Sequence, residues 1–357
     1  MRIATRFRSG ALSLSQFDTI DPIWRAIAGG QVDLAAMDPD RLMALSSLIS
    51  AAGVAALIPG VDNVPGEAAV RQARLLNRFR RSQGERWVAA LNDAGIDAIA
   101  MKGLASALTV WPDPDARAVS DADILVRSDA LRSAVELLQR NGFTVAEMPT
   151  RGPWGFVGDA SFQPLIGPQD GANIDLHIQG DAWPFVRALP AEELIAGSVS
   201  GPVEGVMLPS PTHRFLIAAS HAAGDLFTAD AIKSVVDGML MLRSPEMIDF
   251  TELRDRCRRG HMMRPVTVYL ALLQRLGADA QAAEAAGFPV RSVEGPAFEA
   301  VVRDHMQCFA GVEEPGAFTK ILREARLCAE WRVLAWRNWR RLSGLVRPRR
   351  GDPLRVA

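Results

Sequence analysis

Two stretches of the chain alternate polar and apolar residues, and most of the rest repeats apolar residues at helical spacing. Val119-Ser120-Asp121-Ala122-Asp123-Ile124-Leu125-Val126 reads as a strand. Alternate side chains of a strand share a face. Asp121 and Asp123 therefore point one way, and Ala122, Ile124 and Val126 point the other way into a core. Asn173-Ile174-Asp175-Leu176-His177-Ile178-Gln179 alternates without a fault and reads as a half-buried strand, with Asp175 and His177 on its polar face. A shorter apolar run, 96–101, ends in Lys102-Gly103 and the small residues Ala105, Ser106 and Ala107, a turn feeding a short helix. A helix over 130–141, stopped by Asn141-Gly142, and a strand over 143–145 follow. The order strand-helix-strand-helix-strand predicts a small mixed sheet with helices, an α+β arrangement.

Helical spacing governs the flanks. Residues 1–65 read as short helices joined by Gly, Pro and Asp turns, with Asp38-Pro39-Asp40 opening one of them. Residues 67–93 form a helix whose Arg71, Arg74, Arg78, Arg80 and Arg81 suggest a solvated face. The segment 149–171 is rich in Gly and Pro. It is read as strands at 156–157 and 162–166 with long turns, the alternative being a mobile flap. Beyond 181 helices are expected over 191–196, 211–223, 230–242, 249–259, 265–276, 280–286, 296–308 and 318–345, with an edge strand at 205–208. Ser210 or Thr212 would cap the second of these, and Pro296 suits the first turn of its helix. The expected division is an N-terminal helical region (1–65), a core (66–180), a C-terminal helical domain (181–345) and a disordered tail (346–357).

Composition changes this picture little. The 357 residues suffice for two or three cores, and 40 basic against 41 acidic residues give no strong nucleic-acid signal. Cys257, Cys308 and Cys328 are too few and scattered for a disulfide framework or a zinc site, which points to the cytoplasm. The N-terminus lacks the apolar core of a signal peptide, and the longest apolar stretch, 44–58, is interrupted and too short to span a membrane.

The paired aspartates do change it. Two carboxylates at ~4 Å repel by roughly 4 kcal/mol at an effective dielectric of about 20. A hard cation such as Mg²⁺ or Mn²⁺ relieves that repulsion, and Asp175 on a neighbouring strand would close the same metal site.

These residues carry a resemblance. A glycine turn opening a helix, then D-x-D on a strand, then one Asp on a later strand, is the pattern of the polymerase-β-type nucleotidyltransferase superfamily. Closer still, KGLASA, the arginine four residues before Asp121, SDADILV and NIDLH resemble the bacterial family of uncharacterised nucleotidyltransferases. The resemblance covers about residues 70–180 well and the helical remainder loosely. It departs from the wider superfamily at Gly103-Leu104, where Gly-Ser is usual, with Ser106 three residues after the glycine.

The resemblance implies a minimal polymerase-β-like core flanked by N- and C-terminal helical regions. It also implies metal-dependent transfer of NMP from an NTP to an acceptor hydroxyl, releasing pyrophosphate. Asp121, Asp123 and Asp175 would be the catalytic and metal-binding acids. Lys102, Gly103, Ser106, Arg117, Ser120 and His177 are the candidate nucleotide contacts. On the helical part, His221 and the Lys233/Asp237 pair resemble recurring positions, and an i,i+4 bridge between Lys233 and Asp237 is expected. The acceptor, whether small molecule, peptide or protein, is not legible. Two rival functions are a catalytically silent nucleotide- or peptide-binding module and a tailoring enzyme that transfers another phosphate-linked group. The last helix sets Trp331, Trp336 and Trp339 among arginines. It is read as a core helix with a basic outer face, against a membrane-surface helix or a peptide- or nucleic-acid-binding arm.

Overall fold

The computed structural model describes residues 20–29, 54, 57, 67–146, 160–168, 171–181, 185–244, 246–307 and 315–346. The expected helix after Asp38-Pro39-Asp40, the strand at 156–157, Cys308 and the tail from 347 lie outside them. α1 spans Ile20–Ile27 and α2 Glu67–Asp93. The core continues through β1 (Ala98–Ala100), α3 (Lys102–Thr109), β2 (Asp121–Val126), α4 (Leu131–Arg140), β3 (Thr144–Val145), β4 (Leu165–Ile166) and β5 (Asn173–His177). Then follow α5 (Ala191–Ala196), β6 (Val199–Ser200), β7 (Met207–Leu208), α6 (Pro211–Gly224) and α7 (Ile232–Arg243). The remaining helices are α8 (Phe250–Gly260), α9 (Met263–Arg275), α10 (Gln281–Ala285), α11 (Pro296–Gln307), α12 (Ala317–Arg323) and α13 (Trp331–Val346).

Among the described residues the strands form one seven-stranded mixed sheet, ordered β3-β4-β5-β2-β1-β7-β6. β2 lies antiparallel to β1 and parallel to β5. The sheet thus takes in two strands beyond residue 180. β7 is not at the edge: it pairs in parallel with β1, and β6 covers its other side.

Strand alternation divides the burial. Ala98, Ala100, Ala122, Ile124, Val126, Ile174 and Leu176 face a core closed by Val88 and Leu91 of α2, Leu104 of α3 and Leu138 of α4. Ile99, Met101 and Leu125 face the opposite way, into a second core built by α1 and the helices after residue 185. Trp24, Phe215, Phe227, Tyr269 and Phe298 are buried there. Removing such aromatics from water is the main stabilising contribution of this layer. The acids on the second face of β2 therefore look toward the helical layer.

Two local expectations are corrected. The arginines of α2 are not only a solvated face: Arg71 and Arg78 are exposed, but Arg74 pairs with Asp113, and Arg78 and Arg81 pair with Asp115. These bonds clamp the 3-10 turn Pro114–Ala116, which leads into β2. The last helix is two helices, α12 and α13, joined by a π-helical turn, Glu324–Cys328. Glu324 is buried against Arg337, and Arg264 donates to the carbonyls of Ala325 and Ala329, so tertiary bonds satisfy the backbone where the helix stops. The outer face of α13 carries Trp331 and Trp339 as well as Arg332, all exposed, while Arg337 is buried over the Phe185 ring. Ser210, not Thr212, caps α6; the Thr212 hydroxyl accepts from the Asp249 N–H instead. No helix among the described residues is long and apolar enough to cross a membrane.

Candidate active site

Parallel pairing of β2 with β5 sets Asp121 opposite Asn173, Asp123 opposite Asp175 and Leu125 opposite His177. Side chains of the same parity share a face, so Asp121, Asp123, Asp175 and His177 form one polar patch across two strands. Asp123 is its centre. Its Oδ1 accepts from Lys102 Nζ at 2.7 Å and lies 2.8 Å from His177 Nε2, while Lys102 Nζ and His177 Nε2 are 3.4 Å apart. Burial alone would raise the Asp123 carboxyl. The Lys102 ammonium and the His177 bond outweigh it and hold the group well below the usual carboxylate range. Lys102 stays charged for the converse reason: burial works against its ammonium, and Asp123 beside it wins. Lys102 also has a φ of 45°, a left-handed conformation that non-glycine residues adopt at a cost. That conformation sits at the turn from β1 into α3.

Asp175 has the opposite environment. Burial first, then the charges of Asp121 and Asp123, push its carboxyl up to about 6. Asp121 is half-buried and accepts from the Ser120 hydroxyl at 2.6 Å.

A cavity of about 200 Å³ opens beside β2, between α3 and the α6–α7 pair. It is lined by Lys102, Gly103, Ser106, Arg117, Ser120, Asp121 and Asp123, and on the helical side by Arg214, His221, Lys233 and Asp237. Asp175 and His177 are not among its lining residues; they flank Asp123 on the side of β5. A Cβ on Gly103 would stand 3.4 Å from the Arg117 guanidinium, an ordinary contact distance, so α3 packs beside Arg117 at this point.

Arg117 faces the cavity, and each of its three nitrogens has a partner. Its Nε and Nη2 donate to Asp237 Oδ1 and Oδ2 at 2.9 and 2.8 Å, and its Nη1 donates to the Ala118 carbonyl. Trp111 Nε1 donates to the same Asp237 Oδ1. The expected bridge between Lys233 and Asp237 is therefore not formed: both carboxylate oxygens of Asp237 serve the loop before β2. On α6, His221 Nδ1 lies 3.1 Å from Ser234 Oγ and 3.3 Å from Asp225 Oδ2, which fixes the ring at the cavity rim. Sequence reasoning missed Arg214, whose neighbours on α6 are almost all buried, so nothing in the local pattern singles it out.

Oxygen donors of this kind suit a hard divalent cation, and the raised Asp175 carboxyl marks negative charge that Lys102 does not neutralise. By charge and donor type, Asp121, Asp123 and Asp175 fit such an ion. Among the described residues no three His, Cys, Asp or Glu side chains are already gathered at metal-binding spacing; Lys102 takes up Asp123 instead.

A family model described as uncharacterised nucleotidyltransferase matches residues 46–278. That span takes in all three acids, the sheet and both walls of the cavity. No curated protein and no solved structure matches the chain. With well over half its length matched, the chain belongs to the uncharacterised nucleotidyltransferase family.

Proposed function

We propose that the chain transfers NMP from an NTP to an acceptor hydroxyl, with Asp121, Asp123 and Asp175 holding divalent cations. The observation that carries this reading is the register of β2 against β5, which pairs Asp123 with Asp175 and puts Asp121 on the same face, beside the cavity. Bound Mg²⁺ or Mn²⁺ would neutralise the charge that grows on the attacking and leaving oxygens.

The chain's own groups do the rest. The triphosphate lies in the cavity along α3, where the Gly103 backbone, the buried Ser106 and the helix N-terminus favour anionic oxygens. Lys102 lines the cavity beside Asp123 and pairs with it, so its ammonium faces both that carboxylate and the triphosphate. The acceptor approaches from the β5 side. Its hydroxyl oxygen bonds to the α-phosphorus, the bond from that phosphorus to pyrophosphate breaks, and the hydroxyl proton passes to an Asp175 carboxylate oxygen. His177 orients Asp123, and Ser120 orients Asp121. Arg117 acts by position: it fixes the loop that delivers β2 rather than touching nucleotide.

The test is incubation with each labelled NTP and Mg²⁺ or Mn²⁺ against cell extract, with mass spectrometry for a nucleotide-sized adduct. An adduct that disappears in Asp121→Ala supports transfer. NTP binding without any adduct would favour the catalytically silent reading instead.

A further inference from the structure

Two tryptophans of α13 stand in water. Trp331 is 70% exposed and Trp339 69%. Ala335 and Leu342 are exposed with them, and the four positions fall four, four and three residues apart. That spacing makes one apolar stripe along the helix. The helix holds to the protein by other residues: Val333 is buried, and Arg337 turns inward to Glu324 and the Phe185 ring. A helix serving only to close the core would have its indoles inside, where their apolar area is removed from water. None of the residues lining the cavity comes from α12 or α13, so the stripe is not a wall of the candidate active site.

Charge follows the same segment. Residues 331–350 hold seven arginines and no aspartate or glutamate, in a chain whose formal net charge is −1. The positive excess is therefore local. Arg332 is exposed at the border of the stripe, its guanidinium 5.4 Å from the centroid of the Trp331 ring. Arginine stems lie along apolar surface while their heads reach for anions.

These two properties choose between occupants. A two-fold contact with a second copy through the stripe would set the arginine excess against itself, with no carboxylate on α13 to answer it. A nucleic-acid strand would suit the arginines, but such strands are held by stacking bases on ring faces. Arg332 already lies over a face of Trp331, and Ala335 and Leu342 offer a base nothing to stack on. A bilayer surface uses all of them. Indoles settle at the headgroup level, aliphatic side chains reach the acyl border, and arginines meet anionic headgroups. No described helix is long and apolar enough to cross a membrane, so the contact is one that lies in the surface.

We propose that α13 docks on an anionic lipid surface, lying in the headgroup plane with Trp331, Trp339 and Leu342 inserted and the arginine-rich segment 332–350 against the acidic headgroups. Docking of this kind does not depend on nucleotidyl transfer.

The test is co-sedimentation of the full chain with unilamellar vesicles, of phosphatidylcholine alone and of phosphatidylcholine with about one-third phosphatidylglycerol. The chain should bind the anionic vesicles, bind the neutral ones far less, and be released by salt. Trp331→Ser with Trp339→Ser should weaken binding by at least about tenfold, because the inserted apolar area is lost. Both indoles are exposed, so the thermal melt of this double variant should match the parent's. Arg332→Gln should weaken binding by about fivefold, the scale of one cation at an anionic surface. No vesicle binding by the parent, or equal binding by the parent and the double variant, would overturn the proposal. Retention of single-stranded RNA that depends on the two tryptophans, without vesicle binding, would overturn it in favour of a nucleic-acid arm. A dimer in sedimentation velocity that the double variant dissociates, again without vesicle binding, would overturn it in favour of a second copy.

Discussion

Arg117 and Asp237, 120 residues apart, close a two-point ion pair in which both side chains are less than a tenth exposed. The pair joins the loop before β2 to the middle of α7, so it ties the sheet to the helical layer at the cavity itself. Removing one partner leaves the other charge buried and also takes the acceptor from Trp111. Asp237→Ala should therefore cost about 3–5 kcal/mol of unfolding free energy in urea melts. Replacing both residues by leucine should recover much of that loss, because no charge is then stranded. A cost below about 1 kcal/mol for Asp237→Ala would mean that the two layers are not coupled through this contact.

Asp121 and Asp123 sit two residues apart, yet their substitutions should behave differently. Asp121 is half-buried and accepts a hydrogen bond from Ser120. Asp121→Ala should leave stability within about 0.5 kcal/mol. It should reduce transfer by about a thousandfold or more, since charge stabilisation by a held cation is worth several kcal/mol. Asp123→Ala should lose transfer too, but also about 1–3 kcal/mol of stability, because Lys102 and His177 lose their shared acceptor. Thermal melts beside adduct assays separate the two; equal stability losses would contradict the geometry around Asp123.

This difference also shows where the sequence was legible. Alternation fixes which face a side chain takes, so the shared face of Asp121 and Asp123 and the core-facing Ala122, Ile124 and Val126 could be read from β2 alone. The long α2 and the short α3 were legible because their signals are local, although the left-handed residue at the turn into α3 is Lys102 and Gly103 is already helical. Partner choice was not. Spacing on α7 offers Lys233 to Asp237, but the winning partner comes from a distant loop. The arginines of α2 look like a solvated face until Asp113 and Asp115 fold back onto them. The break between α12 and α13 carries no glycine or proline; it depends on Arg264 arriving from α9 and on Arg337 of α13 pairing back to Glu324.

Two histidines in the helical layer should make the fold acid-sensitive. Burial first, then Arg256 near His213 and Arg323 near His305, lower both rings to about 4, from the 6.5 of an ordinary imidazole. Between those values the unfolded chain binds protons that the folded chain refuses. The stability they contribute is present above about pH 6.5 and is lost as pH falls toward 4. One such group steepens the slope by up to about 1.4 kcal/mol per pH unit. His213→Phe should flatten the acid limb of a denaturation series by roughly that amount; an unchanged slope would show that His213 is protonated in the fold.

Asp175 should act in the opposite direction, and in a way that a divalent cation reverses. Its carboxyl ionises near 3.8 in the unfolded chain and at about 6 in the folded one, because burial and the charges of Asp121 and Asp123 oppose ionisation. Between those values the folded chain binds more protons. Its contribution is therefore full below about pH 4 and is lost as pH rises through 6. The full shift would correspond to about 3 kcal/mol; with water reaching a half-buried carboxyl, about 1–2 kcal/mol is expected. A cation held by the ionised acids removes the repulsion, so Mg²⁺ or Mn²⁺ should stabilise the protein at about pH 7.5 and do little at about pH 4.5. Asp175→Asn should abolish both the alkaline loss measured in chelator and most of the gain from metal. Metal stabilisation of equal size in Asp175→Asn would remove Asp175 from the cation site, whatever its position in the sheet.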